Sequence, residues 1–184
     1  HRTTTGVGQI SQHNTAYLRT VNAGLGEKIP TLDEVLSLVA GKCLINIELK
    51  GLSNIDLLFS YLDSALQNSA WTIENILLSS FNHHLLYEIN QRRPSFALGA
   101  LTVGCPLDYA RFAAQLNAYS VHLDVDFINQ AFVEDAHTRG LKVFVYTTDE
   151  NDDIQAMKAL GVDGIFCDFP KRVVAQHKNN HNQS

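Results

Sequence analysis

The sequence predicts an α/β fold with a parallel sheet, and within that class a TIM (β/α)8 barrel rather than an open doubly wound sheet. Three observations carry this. Six short strand-like runs alternate with helix-length amphipathic segments from residue 43 onward, and strict alternation places parallel strands inside and helices outside. An open sheet covered on both sides is apolar on both faces. Here polar residues recur on one parity toward the strand ends, at Glu48 and Lys50, Ser79, His122 and Asp124, and Asp168. Barrel enzymes place their chemistry at that end. The count is six where such a barrel closes on eight, so the barrel is expected to be incomplete, with strands 3 to 8 present, or else the fold is open.

The strands are expected at 43–49, 75–81, 96–102, 119–124, 142–148 and 163–168. Between the first two, Ile55, Leu58, Phe59, Leu62 and Leu66 form a stripe of period 3.6, the mark of an amphipathic helix. Two later helical segments end on Gly140 and Gly161, the residue favoured just past a helix C-terminus. Ahead of the first strand, "PTLDEVLSLVAG" predicts a helix in which Thr31 and Glu34 form a capping box. The last helix, "PKRVVAQHK", is weaker, and residues 179–184 form a polar tail.

The bulk numbers suit one globular domain. The 184 residues are 45% hydrophobic and 18% charged, with a formal net charge of -5, enough to bury a core. Mild acidity argues against nucleic acid as partner, and no apolar run approaches a membrane span. The start, "HRTTTGVGQI", lacks a signal-peptide core, and without a methionine it reads as a processed protein or a fragment. Cys43, Cys105 and Cys167 are odd in number and sit in apolar segments, which predicts buried free thiols and a reducing, cytoplasmic setting.

"CLINIELKG" raises the chemical question. Strand side chains alternate with period two, so Glu48 and Lys50 share a face. The carboxylate suits a hard divalent cation such as Mg2+ or Ca2+, and the ammonium suits a phosphate. A mutual ion pair at the rim explains them equally well. His122 shares its strand face with Ser120 and Asp124 and is either a hydrogen-bonded core residue or a site group. Tyr146, on the parity of Phe144, floors a pocket or packs in the core. Ser79 donates to a ligand or caps the next turn, and Asp168 is a site carboxylate or the N-cap of the last helix. Adjacent His83 and His84 open a helix and point apart, which argues against a shared metal.

Taken in order, "RTTTGVG", "IPTLDEVL", "INIELK", "LLSSF", "VHLD" and "VFVYTTDENDDIQAMKALGVDGIFCDFP" resemble the glycerophosphodiester phosphodiesterase family, from Arg2 to about Pro170. The resemblance implies a TIM barrel that hydrolyses small glycerophosphodiesters to an alcohol and glycerol 3-phosphate with a divalent metal. It makes Glu48 a metal ligand and Lys50 a phosphate contact, with His122, Tyr146, Ser79 and Asp168 as further candidate substrate contacts.

Two departures matter. The family's His-Arg-Gly and Glu-Asn-Thr motifs, its Glu-x-Asp ligands and its His-Asp pair are absent from these residues. His1 precedes a loop that matches the segment after the His-Asp pair, so it does not stand for a catalytic histidine. On this reading residues 1–178 are the C-terminal three-quarters of a phosphodiesterase barrel, the first two βα segments are missing, and the chain alone is inactive. The alternatives are a shortened, noncatalytic barrel acting as a binding module, and an aldolase-like barrel with Lys50 as Schiff-base lysine.

Overall fold

A computed structural model describes residues 4–52, 54–67, 70–171 and 173–174. These fall into two compact units, one drawn from His1–Cys43 and Asn54–Thr72, the other from Leu44–Ser53 and Ile73–Ser184.

The first unit is helical. Helices α1 (Thr15–Leu18), α2 (Leu32–Val39) and α3 (Ile55–Gln67) belong to it. The capping box forms as the sequence predicts: the Thr31 hydroxyl accepts from the Glu34 N–H at 3.3 Å, and the Glu34 carboxylate accepts from the Thr31 N–H at 2.8 Å. Arg19 donates both guanidinium nitrogens to the same carboxylate at 2.7 Å, and this hydrogen bonding, with that from Thr31, lowers the Glu34 pKa to about 2. On α3 the buried residues are Leu58, Phe59 and Leu62, with Ile55 and Leu66 half-buried at the stripe's edges. The Trp71 indole N–H donates to the Leu36 carbonyl at 3.1 Å.

The second unit holds the sheet. Its strands are β1 (Ile45–Glu48), β2 (Ile76–Ser80), β3 (Ala97–Thr102), β4 (Ser120–Asp124), β5 (Lys142–Tyr146) and β6 (Gly164–Ile165). All pair in parallel and lie in sequence order β1-β2-β3-β4-β5-β6. Helices α4 (His83–Arg92), α5 (Arg111–Gln115), α6 (Gln130–Thr138) and α7 (Asn151–Leu160) alternate with them. Asn82 and Asn129 cap α4 and α6 by accepting from the N–H of Leu85 and Phe132. Gly140 and Gly161 take left-handed φ values of 77° and 76° where α6 and α7 stop, a conformation that glycine adopts without steric cost.

The outer strands β1 and β6 are shorter than the sequence predicts, and the inner strands β2 and β5 also fall short, by two residues each. At β6 the pairing continues beyond the regular strand through Asp163 N–H to Val143 O and Phe166 N–H to Val145 O, both at 2.8 Å. The expected last helix is described only at Pro170–Lys171 and residues 173–174; its remainder, the 179–184 tail and His1 lie outside the described residues. The cysteines differ from expectation. Cys43 and Cys105 are exposed and Cys167 is half-buried, all three as free thiols, because each sits in a connecting segment outside the regular strands, where apolar neighbours such as Leu44, Val103 and Leu107 are exposed as well. Among the described residues, no helix is long and apolar enough to cross a membrane.

Asp163 ties β5 to β6. Its carboxylate accepts from the Val143 N–H at 2.8 Å and meets Lys142 Nζ at 2.8 Å and His137 Nε2 at 2.9 Å. Burial pushes its pKa up, but the bonds from Lys142, Val143 and His137 outweigh this and hold it below the usual carboxylate value. Asp163→Ala strands a backbone N–H and is expected to cost roughly 1–3 kcal/mol. Lys142→Ala, which removes one half-exposed ammonium, is expected to cost less than about 1 kcal/mol. Urea denaturation of the two variants checks this, and equal losses contradict it.

Candidate functional site

The register decides which residues share a level. Glu48 stands opposite Ser79, Ser79 opposite Gly99, and Gly99 opposite Ser120. With the period-two alternation of strands, this sets Glu48, Ser79, Gly99 and Ser120 on one face, with His122, Asp124 and Tyr146 following toward the C-terminal ends of their strands.

That face is polar and close-packed at once. Ser79, Ser120, His122 and Thr148 are all buried. Glycine is required at position 99 by a close approach: a Cβ there would stand 2.6 Å from His122 Cε1 and Nε2 and 3.1 Å from Ser79 Cβ. The His122 ring lies over this gap, with the Phe144 and Phe166 ring centroids at 5.3 and 5.2 Å. Its Nε2 is 2.8 Å from the Ser120 hydroxyl. Desolvation lowers the His122 pKa to about 4, so the ring is neutral at pH 7. Having no solvent-accessible surface, His122 supports the floor of the site rather than lining its opening as a substrate contact.

Among the described residues, four buried side-chain atoms find no hydrogen-bond partner: Glu48 Oε1, Ser79 Oγ, His122 Nδ1 and Thr148 Oγ1. Glu48, Ser79 and His122 belong to the site-facing parity, and Thr148 follows β5. Native structures pair nearly all such groups, with ordered water or ligand where protein does not suffice. Their concentration on one face marks it as built to meet something polar.

At the rim, Lys50 Nζ approaches Glu48 Oε1 to 3.0 Å, with the lysine side chain 79% exposed and the glutamate 29%. The contact lacks hydrogen-bond geometry, and a pair this wet contributes little to stability. The ammonium is thus free to exchange the carboxylate for an incoming anion. Tyr146 stands close by. Burial first, then the charges of Asp124 and Glu48, push its pKa up to about 12, and its hydroxyl donates to the Thr102 carbonyl at 2.7 Å. It is a neutral, oriented wall.

The structure therefore brings Glu48, Lys50 and Tyr146 together and sets Ser79 level with Glu48. Asp168 follows β6 in an exposed position, its N–H donating to Asp149 Oδ1 at 2.7 Å. His83 leaves the site altogether, with Nε2 2.9 Å from the Leu101 carbonyl and its ring stacked on Phe112. Asp124, placed on the polar parity by the sequence, ends β4 beside Tyr146. Two contributors escape sequence reasoning. Thr148 was within reach of it, lying two residues beyond the candidate Tyr146. Gly99 carried no sequence signal of its role. A cleft of 750 Å³ opens at the other end of the sheet, lined by residues such as Ile45, Leu77, Phe144 and Phe166. It lacks the carboxylate–ammonium pair.

Six parallel strands alternating with helices define an α/β fold of the TIM-barrel-like class. Within that class the chain belongs to the glycerophosphoryl diester phosphodiesterase family, whose model matches residues 1–172. It is 31% identical over 182 residues to a glycerophosphodiester phosphodiesterase of Caldanaerobacter subterraneus subsp. tengcongensis, covering 94% of this chain and 74% of that protein. Among solved structures, it superposes with a TM-score of 0.77 on an Oleispira antarctica phosphodiesterase in complex with the product sn-glycerol-3-phosphate, at 25% identity over 95% of this chain and 74% of that one. A glycerophosphodiester phosphodiesterase from Parabacteroides distasonis shares the fold, with TM-score 0.73 at 20% identity over 92% of this chain and 71% of its own.

Two measurements test the floor. Gly99→Ala is expected to destabilise the protein by roughly 1–3 kcal/mol through overpacking, and His122→Ala in the same chain should recover part of that loss by vacating the space. Additive losses in the double variant rule out the contact. In NMR titration the His122 ring should take up its proton near pH 4. Because its folded-state pKa lies below the ordinary 6.5, the unfolded chain binds the proton first. The stability contribution, roughly 3 kcal/mol at ~1.4 kcal/mol per unit, is full above pH 6.5 and lost as pH falls to about 4. Titration near 6.5 contradicts the burial.

Proposed function

We propose that the chain carries the substrate-holding part of a metal-dependent glycerophosphodiester phosphodiesterase, its six strands being strands 3 to 8 of a TIM barrel. Net, the reaction adds the hydroxyl of water to phosphorus and a proton to the leaving alkoxide, releasing an alcohol and glycerol 3-phosphate. The observation that carries this reading is the Glu48–Lys50 pair at the catalytic end of the sheet, with Glu48 Oε1 buried and without a hydrogen bond.

The donor set fits a divalent cation as one corner of a site. Glu48 offers a hard carboxylate oxygen of the kind Mg2+ and Ca2+ prefer, and it is the residue that would hold the ion. Among the described residues, no three His, Cys, Asp or Glu side chains converge to complete a ligand set. A bound divalent ion supplies Lewis-acid stabilisation of charge developing on the phosphoryl oxygens. Lys50 supplies a point charge to the same oxygens, released from a weak rim pair and strengthened as negative charge develops. Tyr146 lines the pocket, Ser79, buried level with Glu48, shapes its floor, and Asp168 stands outside it as a candidate contact from the segment after β6.

Proton transfer is where these residues fall short. His122 is sequestered and neutral, and His83 is tied to a backbone carbonyl outside the site. A positioned acid or base is worth roughly 10²–10⁴-fold. The 184 residues alone are therefore expected to release no glycerol 3-phosphate from glycerophosphodiesters with Mg2+ or Ca2+ present. Turnover abolished by EDTA would show that the catalytic groups are misassigned. Calorimetry with Mg2+ or Ca2+ tests the ligand role: Glu48→Gln keeps the shape, loses the charge and should weaken binding at least tenfold. Lys50→Met should weaken glycerol 3-phosphate binding and leave metal binding intact; an unchanged affinity reduces Lys50 to a structural partner of Glu48.

A further inference from the structure

Three of the buried polar atoms without a hydrogen-bond partner, Glu48 Oε1, Ser79 Oγ and His122 Nδ1, belong to one face of the sheet. Ser79 stands opposite Glu48 in the β1–β2 register, so the two side chains leave neighbouring strands toward the same side. The other flank of Ser79 is the close approach at Gly99. The space a Cβ would fill there is bordered by Ser79 Cβ at 3.1 Å and by His122 Cε1 and Nε2 at 2.6 Å. Strand β3 therefore puts no side chain between the serine and the imidazole. Ser79 has the carboxylate's strand on one side and the ring on the other.

The hydrogen-bonding needs of the three groups are complementary. A carboxylate oxygen only accepts, a hydroxyl both donates and accepts, and a neutral imidazole carries one N–H and one bare nitrogen. His122 Nε2 is 2.8 Å from the Ser120 hydroxyl. When Ser120 donates to Nε2, the ring proton lies on Nδ1, which then needs an acceptor. Ser79 Oγ can accept from Nδ1 and donate to Glu48, and one heavy-atom torsion, χ1, sets where that oxygen points. Buried polar atoms left unmet are costly, and a bond to a charged acceptor is the stronger kind.

We propose that Ser79 is a positioning residue for Glu48, in a relay where His122 Nδ1–H donates to Ser79 Oγ and Ser79 donates to Glu48 Oε1. The relay aims the carboxylate without placing a charge beneath it, and Gly99 is the residue that permits it. A carboxylate offers about four lone-pair sites, so a bond from Ser79 leaves Glu48 able to face a cation. The inference rests on the phosphodiesterase reading for what Glu48 holds, and goes beyond it in what holds Glu48.

Nitrogen NMR of the 184-residue chain with ring-labelled histidine reads the His122 tautomer, and the relay predicts Nδ1 protonated and Nε2 bare. In Ser79→Ala the Nδ1 proton should move upfield as it loses its acceptor. Calorimetry with Ca2+ reads the positioning: partners that orient a ligand are worth roughly tenfold or more in metal affinity, so Ser79→Ala should weaken binding about tenfold. Ser79→Thr, which keeps the hydroxyl, should restore it, and Ser79→Ala should change nothing further in a Glu48→Gln background. A wild-type His122 with its proton on Nε2 overturns the relay without need of any variant. A Ser79→Ala chain that loses stability but keeps its Ca2+ affinity overturns the positioning role and leaves the phosphodiesterase reading standing. Calcium affinity that neither Ser79→Ala nor Glu48→Gln alters removes Glu48 as a ligand and overturns both readings together.

Discussion

The site depends on one constraint, the register that holds Glu48 level with Ser79, Gly99 and Ser120 across four neighbouring strands. Side chains on a strand alternate with period two, so a slip of one residue would turn Glu48 and Lys50 to the helix-covered face. There a carboxylate would meet leucine and isoleucine at heavy desolvation cost. The apolar parity, Ile47, Leu78, Leu98, Val121 and Val143, therefore secures the register by burial, and the polar parity receives its position as a consequence. Sheet order follows chain order because every crossover is a single helix-bearing connection.

Below the rim the interior departs from a hydrocarbon core. His122 reclines over a glycine, flanked by two phenylalanines and held to the Ser120 hydroxyl. Burial keeps the imidazole neutral, so the floor adds no charge beneath Glu48 and Lys50. Unmet polar atoms on this same face lower stability where the opposite face would tolerate none, a pattern expected where binding rather than folding selects the residues. Function and fold divide the strands between them by parity.

The stretch "GVDGIFCDFP", which with "IELK" is among the most specific pieces of the family resemblance, acts mainly on the fold. Gly161 releases the chain from α7 in a left-handed turn, and Asp163 then fastens the β6 edge to β5 through a backbone N–H and two side chains. "IELK" works the other way, as the piece that carries chemistry. The two act in sequence: the edge clamp fastens β6 to β5, and the register of the sheet aims the glutamate.

Much of this was legible in the amino-acid order because it depends on local periodicity. Six strands, their parallel alternation, the Thr31–Glu34 box, the glycine stops and the shared face of Glu48 and Lys50 all follow from spacings of two, three or four residues. What tertiary structure alone decided involves residues far apart in the chain. Apolar neighbours made the cysteines look buried, yet their connecting segments carry Cys43 and Cys105 to the surface. His122 and Glu48 share a parity, but only the fit of the imidazole over Gly99, 23 positions earlier in the numbering, seals the histidine from solvent while the glutamate reaches the rim. The edge-on contact of the Phe81 ring with Tyr146 likewise requires the folded sheet. Alternation tells which way a side chain points; depth and company are set by strands whose neighbours in space are distant in sequence.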